Sequence, residues 1–172
     1  MAAAVATGCG PASDSGPASC VAEPFPGDAS TPPARAILTL TVGAEDASRT
    51  RVAIAWTDGA HVPLIGGAQG GFMIRPAIDV VAAAPLPEDG AHASCLAVRM
   101  IAAAPASAPP LSIDTLAPRV AGTSSTYHVA PLFGLLSNNG GVGGMSVPLT
   151  FDVHSPAGDG HAQVTVVPDA TL

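Results

Sequence analysis

From Ser146 to Val153 the chain alternates without a break: Val147, Leu149, Phe151 and Val153 fall on one side, and Ser146, Pro148, Thr150 and Asp152 on the other. A two-residue period sends successive side chains to opposite faces of a strand, whereas a helix would scatter them around its axis. A run of Ser, Pro, Ala, Gly, Asp and Gly at 155–160 follows, and alternation resumes over 162–167. The spacing predicts a C-terminal hairpin around a six-residue turn. Pro148 has no N–H to donate, so that side of its strand is expected to face solvent.

The same period recurs upstream. Leu38, Leu40 and Val42 share one face of a strand predicted over 37–42. Over 49–56, Val52, Ile54 and Trp56 oppose Arg49, Arg51, Ala53 and Ala55. The single Trp is thereby expected as a core anchor between two sheets. Further strands are predicted over 61–65, over 72–82 with Pro76 at a bulge or edge, over 95–102 and over 128–136. Residues 111–126 and 137–144 read as loops, the former with short strand pieces. The 19 glycines and 18 prolines punctuate these runs too often for long helices. Aromatics are only 3% of the chain, so the core must come from Val, Ile and Leu. The fold class this implies is all-β: an immunoglobulin-like antiparallel β-sandwich of about seven or eight strands, with a partly open barrel as the alternative. One such domain spans 36–172. Residues 1–35 carry Pro11, Pro17, Pro24, Pro26, Pro32 and Pro33 among small residues, and read as a flexible linker with too little apolar surface to offset its ordering entropy.

Charge excludes one class of partner. Net charge is −7, there is no Lys, and the six arginines are scattered. Displacing counterions from a polyanion requires a basic stripe, so nucleic acid is not an expected partner. No apolar stretch approaches the roughly 20 residues that span a bilayer.

The cysteines bear on compartment. Ala6-Thr7-Gly8-Cys9 resembles a bacterial lipobox, in which small residues precede a Cys that is lipidated after cleavage. It departs from that pattern in lacking a positive segment and in the shortness of its apolar stretch. With Cys9 lipidated, Cys20 and Cys95 remain as an even pair that an extracytoplasmic compartment would oxidise. A Cys9–Cys20 bond is the competing pairing. No Cys-x-x-Cys spacing suggests a metal site.

Residues 58–74, running Asp58-Gly59 through Leu64, Gly67, Gln69, Gly70 and Gly71 to Phe72, resemble a segment of uncharacterised secreted proteins and lipoproteins of high-GC bacteria. There an Asp-Gly pair, a Leu, and a Gly-x-Gln-Gly-Gly-aromatic run precede a long strand, and the chain ends in a hairpin such as that predicted over 147–167. The likeness covers about 40 residues in two pieces, and Ala68 stands where Pro is common. It implies an immunoglobulin-like domain outside the cytoplasm and brings no activity with it.

Candidate chemistry is sparse. The run Gly66, Gly67, Ala68, Gln69, Gly70, Gly71 lacks the following helix and the Lys of a phosphate-cradling loop. It is expected instead as a structural turn using positive φ, with Gln69 bonded to backbone. His154 and His161 flank the terminal turn, and Asp152 lies on the face of His154, a set that a two-His-one-carboxylate metal site would use. His61, His92 and His128 have no such neighbour in sequence. No nucleophile elbow is present, because residues 122–126 lack the closing Gly. Asp58, Asp79, Asp114 and Asp152 would serve a hydrolase only if the fold gathered them. The expectation is therefore an exported, surface-tethered β-sandwich that binds an unidentified protein or envelope component, without catalytic residues or cofactor. Its contact with membrane would be only through a lipid on Cys9. The alternatives are a periplasmic metal-binding module and a hydrolase using loop carboxylates.

Overall fold

The computed structural model describes residues 20–22, 25, 35–46, 52–67, 71–88, 93–137 and 141–169. Among these the protein is all-β, with twelve strands and no helix. In chain order they are β1 (Ala36–Glu45), β2 (Ala53–Ala55), β3 (Ala60–Val62), β4 (Ile65–Gly66), β5 (Phe72–Ile74) and β6 (Ala77–Val81), followed by β7 (Ala93–Ala102), β8 (Leu111–Pro118), β9 (Thr126–Val129), β10 (Gly134–Ser137), β11 (Val147–Ser155) and β12 (Gly158–Pro168).

The large sheet runs β8-β7-β11-β12-β1-β6-β9, with β2 beside β1 and β3 beside β12. Pairing is antiparallel except at β1–β12 and β3–β12, which are parallel. A bridge between Arg119 and Tyr127 brings the end of β8 to β9, and Val120 donates its N–H to the Thr126 carbonyl at 2.8 Å. The sheet therefore curls until its two outer strands almost meet, which removes most of its exposed edge. A second sheet, β10-β5-β4, completes a nearly closed, barrel-like arrangement.

The alternation of the C-terminal hairpin is legible in its burial. Val147, Leu149, Phe151 and Val153 are all buried, and meet Leu96, Val98 and Met100 of β7 within the core. Tyr127 is fully buried from β9, and its hydroxyl satisfies itself on Leu86, accepting from the amide at 2.9 Å. One glycine is required by close approach. A Cβ on Gly43 would lie 1.8 Å from the Ile54 carbonyl oxygen, so β2 can lie against β1 only because that position has no side chain.

Several elements differ from the sequence expectation, and each for a local reason. The terminal turn is tighter than six residues: Ser155 pairs with Gly158, leaving Pro156 and Ala157 at the tip. Pro148 sits one residue beyond the β7 register, where its carbonyl accepts the Ala103 N–H at 2.9 Å, so its missing donor coincides with the end of that pairing. Of the strand expected over 49–56, residues 49–51 lie outside the described residues and β2 covers Ala53–Ala55, with Ile54 56% exposed and Trp56 half-buried beyond its end. The long strand expected over 72–82 breaks at Arg75-Pro76 into β5 and β6, which belong to different sheets. The one expected over 128–136 likewise divides around Pro131 into β9 and β10. Conversely, 111–118 is a full strand, β8, paired with β7 over eight positions.

Candidate functional site

Strand register assembles the residues singled out for metal. Asp152 of β11 lies opposite His161 of β12 on one side and Arg99 of β7 on the other, while His154 lies opposite Asp159. All five project from the outer face, because the residues alternating with them in β11 point to the core. The Arg99 guanidinium donates to Asp152 Oδ2 through Nε at 3.1 Å and Nη2 at 2.9 Å, and His161 donates through Nδ1 to Oδ1 at 2.8 Å. Both carboxylate oxygens are thus occupied. His154 is 1% exposed; its Nδ1 meets Asp159 Oδ1, and Arg35 Nη1 lies 2.8 Å from its Nε2. Arg35 also stands 3.6 Å from Asp159. The two histidines are diagonal neighbours, each turned to its own carboxylate. No three His, Cys, Asp or Glu side chains gather to hold a metal among the described residues.

Two described residues from before β1, Cys20 and Phe25, lie against this face. Cys20 is bonded to Cys95 on β7 with their Cα atoms 5.6 Å apart. Phe25 lies between Arg99 and His154, its ring 4.8 Å from the Arg99 guanidinium carbon and 5.6 Å from the His154 ring centre. Cation–π and ring contacts therefore continue what the disulfide begins. Cys9 and most of the expected linker 1–35 lie outside the described residues.

The Gly-rich run joins β4 to β5 as a hairpin connection, and Gly67 donates its N–H to the Gly71 carbonyl at 2.7 Å. Gly66 and Gly67 do not take positive φ. Ala68, Gln69 and Gly70 lie outside the described residues. The preceding Asp58-Gly59 pair has a role that its turn chemistry only half disclosed. Gly59 adopts φ +80°, Asp58 accepts the Thr165 N–H at 2.8 Å, and Gly59 donates to the Thr165 carbonyl at 2.7 Å. The pair clamps the turn onto β12, where Gly alone adopts the required conformation without strain.

The four aspartates named as separate carboxylates stay apart. Asp58 serves that clamp, Asp152 and Asp114 lie on β11 and β8, and Asp79 is buried on β6. Asp79 pairs across the sheet with His128, Oδ1 to Nδ1 at 2.6 Å, and accepts the Ala53 N–H at 2.9 Å. His61 similarly meets Asp169 at 3.1 Å. The carboxylates these two imidazoles meet are 49 and 108 residues away in sequence, and strand register brings them together. His92 lies outside the described residues.

A cavity of about 360 Å³ opens at the opposite end, where the two sheets meet. Its lining includes Glu45 from the end of β1, Trp56, Val62, Ile65, Pro131 and, from the β5–β6 break, Arg75. The indole, expected as an anchor, is instead a half-buried wall that still packs against the core. Arg75 lies over the exposed ring of Phe133, 5.3 Å from its centre. No family model, curated protein or solved structure matches the chain.

Proposed function

We propose that the chain is a non-catalytic binding or structural module, of immunoglobulin-like sandwich type, that works outside the cytoplasm on an N-terminal tether. The observation that carries this reading is the Cys20–Cys95 disulfide, which fastens the segment before β1 to the outer face of β7. Such bonds persist in oxidising compartments and are reduced in most cytosols. A module held at a surface by its N-terminal segment gains from having that segment leave the fold at a fixed point. The antiparallel pairing of β8, β7, β11 and β12 is what one sheet of such a sandwich would use. The likeness of residues 58–74 to secreted proteins and lipoproteins supports the compartment, and Cys9 would carry the lipid. Its partner is a protein or another envelope component.

The test is fractionation of the producing cells with peptide mapping under non-reducing conditions. The expected outcome is envelope or extracellular material containing the linked Cys20 and Cys95 peptides and a lipid mass on Cys9. Free thiols at both positions in freshly alkylated material, or recovery in the cytosol alone, would overturn the reading. Cross-linking on intact cells, with the 1–35 segment present or deleted, should then give an envelope adduct that depends on the tether.

A further inference from the structure

We infer that the cavity beside Trp56 is a binding site for a small monocarboxylate with a short apolar body. Arg35 stands beside Asp159, Arg99 donates to Asp152, and Arg119 pairs with Glu88 at 3.3 Å. Arg75 is the remaining arginine among the described residues. It has no ion-pair partner among them, and its contact is the face of Phe133. A cation–π contact holds a guanidinium in place while leaving its in-plane N–H donors unused. Those donors match a carboxylate in shape as well as charge, since a planar fork can make two parallel hydrogen bonds to it.

The walls define the rest of the ligand. Val62, Ile65, Pro131 and the indole of Trp56 supply apolar surface around Arg75. A volume of about 360 Å³ falls at the small end of ligand pockets, which run from roughly 300 to 1,000 Å³ and combine apolar walls with a few polar groups. Glu45 is the other charged residue of the lining, and it too has no ion-pair partner among the described residues. Its carboxylate disfavours a second negative charge on the occupant, so the site prefers a monoanion to a dianion of equal length. This inference is independent of the compartment assigned above.

The chain contains one Trp, so intrinsic indole fluorescence reports on this cavity alone. The experiment titrates the full chain with octanoate, and in parallel with octanol, octylamine and the eight-carbon dicarboxylate suberate. Octanoate is expected to change the Trp56 emission saturably, with each of the other three binding more weakly. Arg75→Gln should weaken octanoate by about tenfold or more, the loss of a hydrogen-bonded charge pair. Glu45→Gln should tighten it by roughly threefold and narrow the preference over suberate. Thermal melts of both variants establish that the fold is intact, and each replaces an exposed side chain. No saturable response to octanoate would overturn the inference. So would equal binding of octanol or octylamine, or an Arg75→Gln variant that binds octanoate as the parent does.

Discussion

The outer face of β7, β11 and β12 and the cavity at the sheet junction carry similar chemistry: arginines, carboxylates and one aromatic side chain in reach of a guanidinium. They differ in how that chemistry is closed. On the outer face, Asp152 is shared by Arg99 and His161, Asp159 serves His154 beside Arg35, and Phe25 lies between Arg99 and His154. At the cavity, Arg75 and Glu45 line one hollow without pairing with each other. A matched network in which donors and acceptors meet locks an arrangement in place. An unmatched pair around an apolar hollow contributes little to folding and leaves charge for a ligand. On the outer face the histidines already meet carboxylates, whereas the two charged side chains of the cavity lining have no ion-pair partner among the described residues.

The largest effect expected from breaking that contrast is on the closed face. Replacing Cys20 and Cys95 together by Ala removes a link spanning 75 residues, which in the chain-entropy model contributes about 4 kcal/mol. Denaturant unfolding of the double variant should show it. Octanoate binding at Trp56 should survive wherever the variant remains folded. A loss below 1 kcal/mol would mean that the segment before β1 is held by other contacts and that the disulfide is incidental.

Next comes Asp159→Ala, which strips the carboxylate from His154, a side chain 2% exposed. Losing one hydrogen bond from a buried polar group costs about 1–3 kcal/mol, with Arg35 still beside the ring. Asp152→Ala should cost less, about 1 kcal/mol, because Arg99 and His161 reach solvent and can be rehydrated. Measuring both by chemical denaturation ranks the two halves of the network. The reverse order would place the energetic centre of that face at Arg99 rather than under the N-terminal segment.

How far these features could be read from the amino-acid sequence follows from what periodicity reports. It tells which way a side chain faces, so β11, β12 and the inward set Leu38, Leu40 and Val42 were plain. Leu38 and Val42 are indeed buried, with Leu40 packed against them. It does not tell which strand lies alongside. Asp79 with His128 and Arg35 with His154 are pairings across 49 and 119 residues, fixed by register alone. Strand ends were least legible where proline stood. Residues 111–126 read as a loop with short strand pieces, although Leu111 and Ile113 pack on the core between exposed Ser112 and Asp114. Pro76 suggested a bulge within one strand, whereas the chain leaves one sheet for the other there. Trp56 shares a face with Val52 and Ile54, but that face is not a closed core: Ile54 is 56% exposed and the indole stands on the cavity wall.

The smallest effect expected is the most discriminating. Arg75→Gln removes a guanidinium that lies over Phe133 and has no carboxylate partner among the described residues. Exposed cation–π contacts contribute roughly 0.5–1 kcal/mol, and surface substitutions away from buried networks stay within about 0.5 kcal/mol. Gln keeps part of the side-chain length and some contact with the ring, so the stability change should be about 0.5 kcal/mol or less. The same substitution on the outer face, Arg99→Gln, removes both the guanidinium bonds to Asp152 and the contact with the ring of Phe25, and should cost more in the same denaturation experiment. If the two variants lose equal stability, Arg75 is as much part of the framework as Arg99, and the contrast between a closed face and an open cavity fails. If Arg75→Gln is near neutral while Arg99→Gln is not, the sheet junction carries a cation that the fold itself does not use.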